Sequence, residues 1–135
     1  MIEKIIHKEQ LLALIIRTSF SKQGIEFFTP DNFSQQLAYM NRPKGYVIDP
    51  HIHNHIPREV AFTQEVLFIK SGKVRVDFYD NERIFIQSTI LVQGDVILLA
   101  SGGHGFEMLE PTEMIEVKQG PYTGDYDKTR FNVIK

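Results

Sequence analysis

The chain contains no cysteine and no tryptophan. Without thiols it cannot form disulfides, zinc–thiolate sites or iron–sulfur clusters, and it has no cysteine nucleophile. It also lacks a long apolar run: residues 11–16 are too few to cross a bilayer, and no secretory cleavage pattern follows them. A formal charge of −2 gives no reason to expect nucleic acid as a partner. We therefore predict a soluble, cytoplasmic protein with neither a membrane nor a nucleic-acid partner.

Size and composition are those of an ordinary globular domain. The chain has 135 residues, of which 42% are hydrophobic and 24% charged. This is the length of one domain, and it is enough to bury a core without a disulfide or a structural metal. We predict a single domain over residues 1–135, with a lead-in at 1–44, a core at 45–118 and a tail at 119–135.

The lead-in contains a pattern that suits a helix. Between residues 7 and 20, apolar side chains at Leu11, Leu12, Ile15 and Ile16 would share one helical face. The adjacent pair Ile15 and Ile16 also suits a strand. The prediction from this pattern is a short N-terminal helix.

After Gly45 the pattern changes to short strands separated by turns. Residues 73–79 alternate between an apolar face, formed by Val74, Val76 and Phe78, and a polar face. Residues 80–82 predict a turn, with a hairpin partner from residue 83. Further strands are predicted at residues 46–48, 66–69, 83–87, 89–92, 95–99 and 114–118. Many short strands with turns between them indicate an all-β barrel or sandwich.

Four histidines and one glutamate form the pattern with most chemical content. His51 and His53 are two residues apart, so on a strand their side chains point to the same side. His55 follows them, Glu65 begins the next predicted strand, and His104 begins another. Imidazole nitrogens with one carboxylate suit iron, manganese, nickel, cobalt or zinc, and they do not choose among these metals. The candidate site is thus one divalent transition-metal ion, although a His-x-His pair alone is more often not a ligand pair.

The spacing of these residues resembles the first sequence motif of the cupins. Five residues separate Gly45 from His51, His53 follows two positions later, and six residues separate Glu65 from Gly72. A second part of the chain resembles the second cupin motif. It consists of Gly94 and Asp95, followed by residues 100–102 and by His104.

This resemblance covers about residues 45–118 and implies a double-stranded β-helix, the cupin jelly-roll barrel, with its site inside the barrel. It implies that the metal ligands are His51, His53, Glu65 and His104. It also implies pairing into a homodimer, which would protect exposed sheet edges.

Two departures from the cupin pattern bear on the ligands. Residues 54–64 form an insertion between His53 and Glu65, and Ala100 stands where proline is usual. The insertion leaves His55 or Glu59 as a replacement for one of the four implied ligands.

A narrower resemblance is to the WbuC-like cupin metalloproteins. It rests on the lead into Pro50, His51 and His53 and on the tail sequence at residues 116–122. These proteins are associated with gene clusters for O-antigen and related polysaccharides, so the resemblance implies a sugar-derived ligand. No reaction is firmly assigned to that family.

Three functions stay open at this point. The first is a metal-dependent enzyme that acts on a small, anionic or sugar-derived molecule, and the second is a binding module without catalysis. The third is a metal-free isomerase or epimerase with a histidine base oriented by a carboxylate. Arg42, Lys44 and Arg58 would favour an anionic ligand if they lie at the pocket. Lys128 and Arg130 would do the same unless the tail is simply solvated.

Overall fold

The computed structural model describes residues 1–132 and shows an all-β protein, as predicted. Its elements are, in chain order, β1 (Ile2–His7), β2 (Gln10–Ile16), β3 (Gly24–Phe27), β4 (Ala38–Asn41), β5 (Glu65–Ser71), β6 (Lys73–Tyr79), β7 (Phe85–Val92), β8 (Val96–Leu99), β9 (Gly103–Met108), β10 (Glu113–Lys118) and a 3-10 helix (Gly124–Tyr126). The last three residues of the predicted tail, 133–135, lie outside the described residues.

The strands form three antiparallel sheets. The order is β1-β2-β8-β5-β10 in the five-stranded sheet, β7-β6-β9 in the three-stranded sheet and β3-β4 in the small one. The two larger sheets share one apolar core, to which Leu67 and Ile97 contribute from one sheet and Val76 and Phe78 from the other. This is a two-layer arrangement around buried side chains. The closure of these sheets into a jelly-roll barrel stays a prediction.

The predicted N-terminal helix is wrong, because residues 2–16 form a β-hairpin. Lys8 and Glu9 connect β1 to β2 with φ angles of 48° and 65°, and two left-handed residues are what a tight type I′ hairpin turn requires. The side chains from Leu12 to Ile16 are all buried. A helix at the surface would bury only one face, whereas a central strand buries both. The spacing that suggested a helix therefore belongs to a strand with two apolar faces.

The central hairpin is confirmed. Val74, Val76 and Phe78 are buried to 1% exposure or less. The predicted turn at residues 80–82 leads into β7, which runs without a break through both segments predicted there. Strict alternation of polar and apolar residues thus identified this hairpin correctly.

The predicted strand at residues 46–48 is wrong. Residues 42–64 contain no strand, and nearly all of their side chains are exposed. Ile52 is 91% exposed and Phe62 is 79% exposed. We call residues 42–64 the histidine segment, because His51, His53 and His55 lie within it.

The outer face of the five-stranded sheet has a second, smaller core. Leu14, Ile16 and Leu98 are buried there beneath Phe20, Phe28 and other residues of the segment between β2 and β4. This packing explains why β2 is apolar on both faces. Among residues 1–132, the structure contains no helix that is long and apolar enough to cross a membrane.

Asp95 joins these layers through a buried hydrogen-bond network. Its side chain has 0% exposure. One carboxylate oxygen accepts from the N–H of Thr18 at 2.9 Å, and the other accepts from the N–H of Val92 at 2.8 Å and from Arg17 Nη1 at 3.0 Å. A buried carboxylate is tolerated only when it is paired and hydrogen-bonded in this way.

We expect Asp95→Ala to lower the free energy of unfolding by about 2–5 kcal/mol, because it leaves the N–H groups of Thr18 and Val92 without their acceptor and removes one of several partners of Arg17. Asp95→Asn should cost less, since it keeps one acceptor oxygen. The measurement is chemical denaturation at neutral pH, with the exposed Asp125→Ala as control, which should change stability by no more than about 0.5 kcal/mol. A loss below about 1 kcal/mol for Asp95→Ala would show that the network contributes little.

Candidate functional site

A broad open cleft lies at one end of the two-layer core. The first residue of β5, Glu65, and the second residue of β9, His104, line it, together with Lys118 at the end of β10. Leu67 and Phe106 add an apolar part to the same wall. Because these strands begin or end at the same edge of their sheets, residues distant in sequence meet here.

Glu65 and His104 are in direct contact inside the cleft. The Nε2 atom of His104 lies 2.9 Å from Oε1 of Glu65, although the residues are 39 positions apart. The side chain of His104 is 29% exposed and that of Glu65 is 16% exposed. An ionised carboxylate can only accept a hydrogen bond, so His104 donates through Nε2 and its Nδ1 carries no proton when the ring is neutral.

The loop before β9 fixes the position of His104. Ser101 donates its hydroxyl to the carbonyl oxygen of Leu11 at 2.7 Å. Gly102 follows with a φ of 71°, and a Cβ at this position would lie 2.5 Å from the carbonyl oxygen of Tyr79. Only glycine fits such a left-handed position against a neighbouring backbone. The backbone geometry of this loop therefore requires glycine at position 102.

A second carboxyl group, Glu116 on β10, extends the pair. The hydrogen bond from His104 lowers the pKa of Glu65 to about 2, against the opposing effect of burial. The hydrogen bond with Glu65 raises the pKa of Glu116, and burial raises it further. Glu116 therefore takes up a proton at a higher pH than Glu65 does, and in its protonated form it can donate to the Glu65 carboxylate.

Sequence reasoning did not select Glu116 or Lys118. In the antiparallel pairing of β10 with β5, Lys118 lies opposite Glu65 and Glu116 lies opposite Leu67. Alternation within the predicted strand at residues 114–118 groups Met114, Glu116 and Lys118 on one face. The missing information was which strand lies beside β10, and one sequence does not supply it.

The remaining predicted ligands lie elsewhere in the structure. His51 and His53 are exposed residues of the histidine segment, with ring centroids 5.2 Å apart. Nδ1 of His51 lies 2.9 Å from the carbonyl oxygen of Asp49. His55 is exposed as well, whereas Glu59 lines the cleft.

The structure thus brings the predicted ligands together as two separate pairs, Glu65 with His104 and His51 with His53. Within residues 1–132, no group of three or more histidine, aspartate or glutamate side chains is arranged to hold a metal ion. The four-ligand site stays a prediction.

Comparisons of the chain with family models, with curated proteins and with solved structures gave no significant match. The cupin resemblance therefore rests on the sequence motifs described above.

The Glu65 contact predicts a specific response to acid. Its pKa is lowered in the folded protein, so its contribution to stability is complete above the ordinary carboxyl pKa of 4.5 and is lost as the pH falls towards about 2. Glu65→Gln should therefore reduce the loss of unfolding free energy across this range by about 1–2 kcal/mol, a figure reduced because the cleft is open to solvent.

The measurement is urea denaturation at a series of pH values between 6 and 2. The raised pKa of Glu116 acts in the opposite direction, since its contribution is present at low pH and fades as the pH rises. Glu82→Gln, an exposed carboxyl group in the turn after β6, is the control and should follow the wild type. Equal pH dependence in Glu65→Gln and the wild type would contradict the account.

Proposed function

We propose that this chain is a metal-binding cupin that binds a small, anionic or sugar-derived molecule in the cleft. The ion would be a divalent transition metal held by His51, His53, Glu65 and His104. The observation that carries this proposal is the contact between Glu65 and His104, two of the four implied ligands, in a cleft large enough for a ligand.

The donor atoms of that pair suit a transition metal. Two ligands bound at roughly 2.1 Å and at a right angle would lie about 3 Å apart, close to the separation of Nε2 and Oε1 in this protein. One is an imidazole nitrogen and the other an oxygen of a carboxylate that is ionised at neutral pH. Metal binding would have to displace the proton that His104 now donates to Glu65, so affinity should rise with pH.

The histidine segment supplies a route to the other two ligands. In residues 51–56, histidine alternates with isoleucine or asparagine, and the only isoleucines there, Ile52 and Ile56, are exposed. In the part of the chain described, β9 is an edge strand, with β6 on one side and no strand on the other. Alternating segments with exposed apolar side chains commonly pair with such an edge. Pairing there would bring His51 and His53 towards His104.

A bound metal would supply a Lewis acid for a carbonyl or phosphoryl oxygen. The chain's own residues have separate tasks. Without a metal, Glu65 accepts from His104 and fixes its ring, while Leu67 and Phe106 provide an apolar wall that excludes water from one side of a ligand.

The second candidate is proton transfer without a metal. It is favoured by the same hydrogen bond, because a carboxylate that accepts from Nε2 leaves Nδ1 of His104 as a proton acceptor. This is the arrangement of a histidine base oriented by a carboxylate. In this reading His51 and His53 have no part.

The metal proposal predicts about one transition-metal ion per chain in untagged protein, measured by elemental mass spectrometry after reconstitution. The double variant His51→Ala, His53→Ala and the variant His104→Gln should each lose most of this metal. His7→Ala is the matched control and should retain it, because His7 lies near Asp80 rather than Glu65.

The variants His55→Ala and Glu59→Gln decide whether either residue replaces an implied ligand. Retention of metal by the His51, His53 double variant would contradict the ligand set. Failure of the wild type to take up any metal would overturn the proposal and leave proton transfer by His104 as the candidate.

A further inference from the structure

Three cationic side chains lie on the wall of the cleft formed by the C-terminal segment and the turn after β6. They are Arg83, Lys128 and Arg130, and all three line the cleft that contains His104. We call them the cationic rim. The hydrogen bond with Glu65 and burial raise the pKa of Glu116, and the charge of Lys128 weakly opposes this rise, so the rim extends towards the Glu65 side of the cleft.

The end of the described C-terminal segment contacts the folded core through Phe131. The ring of Phe131 meets that of Tyr79 edge to face, with centroids 5.2 Å apart. The guanidinium carbon of Arg83 lies 5.6 Å from the centre of the Phe131 ring. A Cβ on Gly103, the residue before His104, would approach Phe131 to 3.1 Å. Phe131 thus holds the rim beside the start of β9.

Within the described residues, the three cationic groups of the rim have no carboxylate at ion-pair distance. No ion pair involves Arg83, Lys128 or Arg130 among residues 1–132. Two of the carboxylates that line the cleft, Asp127 and Asp80, interact with groups outside the rim. Asp127 pairs with Lys118 at 4.0 Å, and Asp80 accepts from two backbone N–H groups of its own turn.

We infer that the cationic rim binds a phosphate group of the ligand. Two guanidinium groups and one ammonium group match a dianion better than a single carboxylate, and a guanidinium offers two parallel donors to phosphate oxygens. The inference rests on the proposed role of the cleft as a ligand site, but not on the presence of a metal. It places the phosphate at the mouth and the rest of the molecule towards His104 and Glu65.

The test is a titration of metal-stripped protein with inorganic phosphate at constant ionic strength, followed by amide NMR. We expect saturable shifts at residues 83, 103 and 128–131. The double variant Arg83→Gln, Arg130→Gln should bind roughly tenfold more weakly, since charge-assisted hydrogen bonds are lost. The variant Arg83→Lys, Arg130→Lys keeps the charge but loses the paired donors. Its affinity for phosphate should therefore lie between that of the wild type and that of the glutamine double variant.

The control is Lys4→Gln with Lys22→Gln, which removes the same charge from exposed positions outside the cleft lining and should bind phosphate as the wild type does. Acetate, titrated in parallel, should bind more weakly than phosphate. Equal affinity in the rim variant and the control, shifts spread over the surface, or tighter binding of acetate would each overturn the inference. Because no metal is present, the result is independent of the metal measurement.

Discussion

The contact between Glu65 and His104 depends on two sheets that share one core. Side chains alternate along β5, so Glu65 lies on the same face as the buried residues Leu67 and Ile69. Along β9, His104 pairs with Phe78, which is buried in the same core. Glu65 is therefore the outermost member of a row whose inner members are buried and apolar, and His104 lies opposite a buried aromatic residue. The hydrophobic packing of Leu67, Ile69 and Phe78 in this core holds the two strands that carry the carboxylate and the imidazole at the open end, where solvent and a ligand can reach them.

The strands that could be predicted are those with one apolar and one polar face. In β6, alternation identified both the strand and the buried positions Val74, Val76 and Phe78. The N-terminal region was mistaken for a helix because β2 is buried on both faces and shows no alternation. Its turn, at Lys8 and Glu9, also lacks the glycine or asparagine that usually announces left-handed backbone. Packing against distant segments determines the secondary structure of this region, and the local sequence alone does not show which segments pack there.

The candidate site was predictable to a similar extent. Glu65 and His104 were selected because their spacing resembles the cupin motifs, and both line the cleft. For His51 and His53 the sequence pattern indicated a strand, but a strand also needs a partner for its backbone hydrogen bonds. The structure pairs no strand with the histidine segment. The interaction between the carboxyl groups of Glu65 and Glu116 was not predicted. It follows from the pairing of β10 with β5, which joins residues far apart in sequence.

The protonation of His104 tests the central claim most directly. Long-range ¹H–¹⁵N NMR of the imidazole rings distinguishes which nitrogen carries the proton. In metal-free protein at neutral pH, the account predicts that Nε2 of His104 is protonated, since it donates to Glu65, and that this proton is lost when zinc is added. A proton on Nδ1 with no response to Glu65→Gln or to zinc would contradict both the hydrogen bond and the proposed metal site.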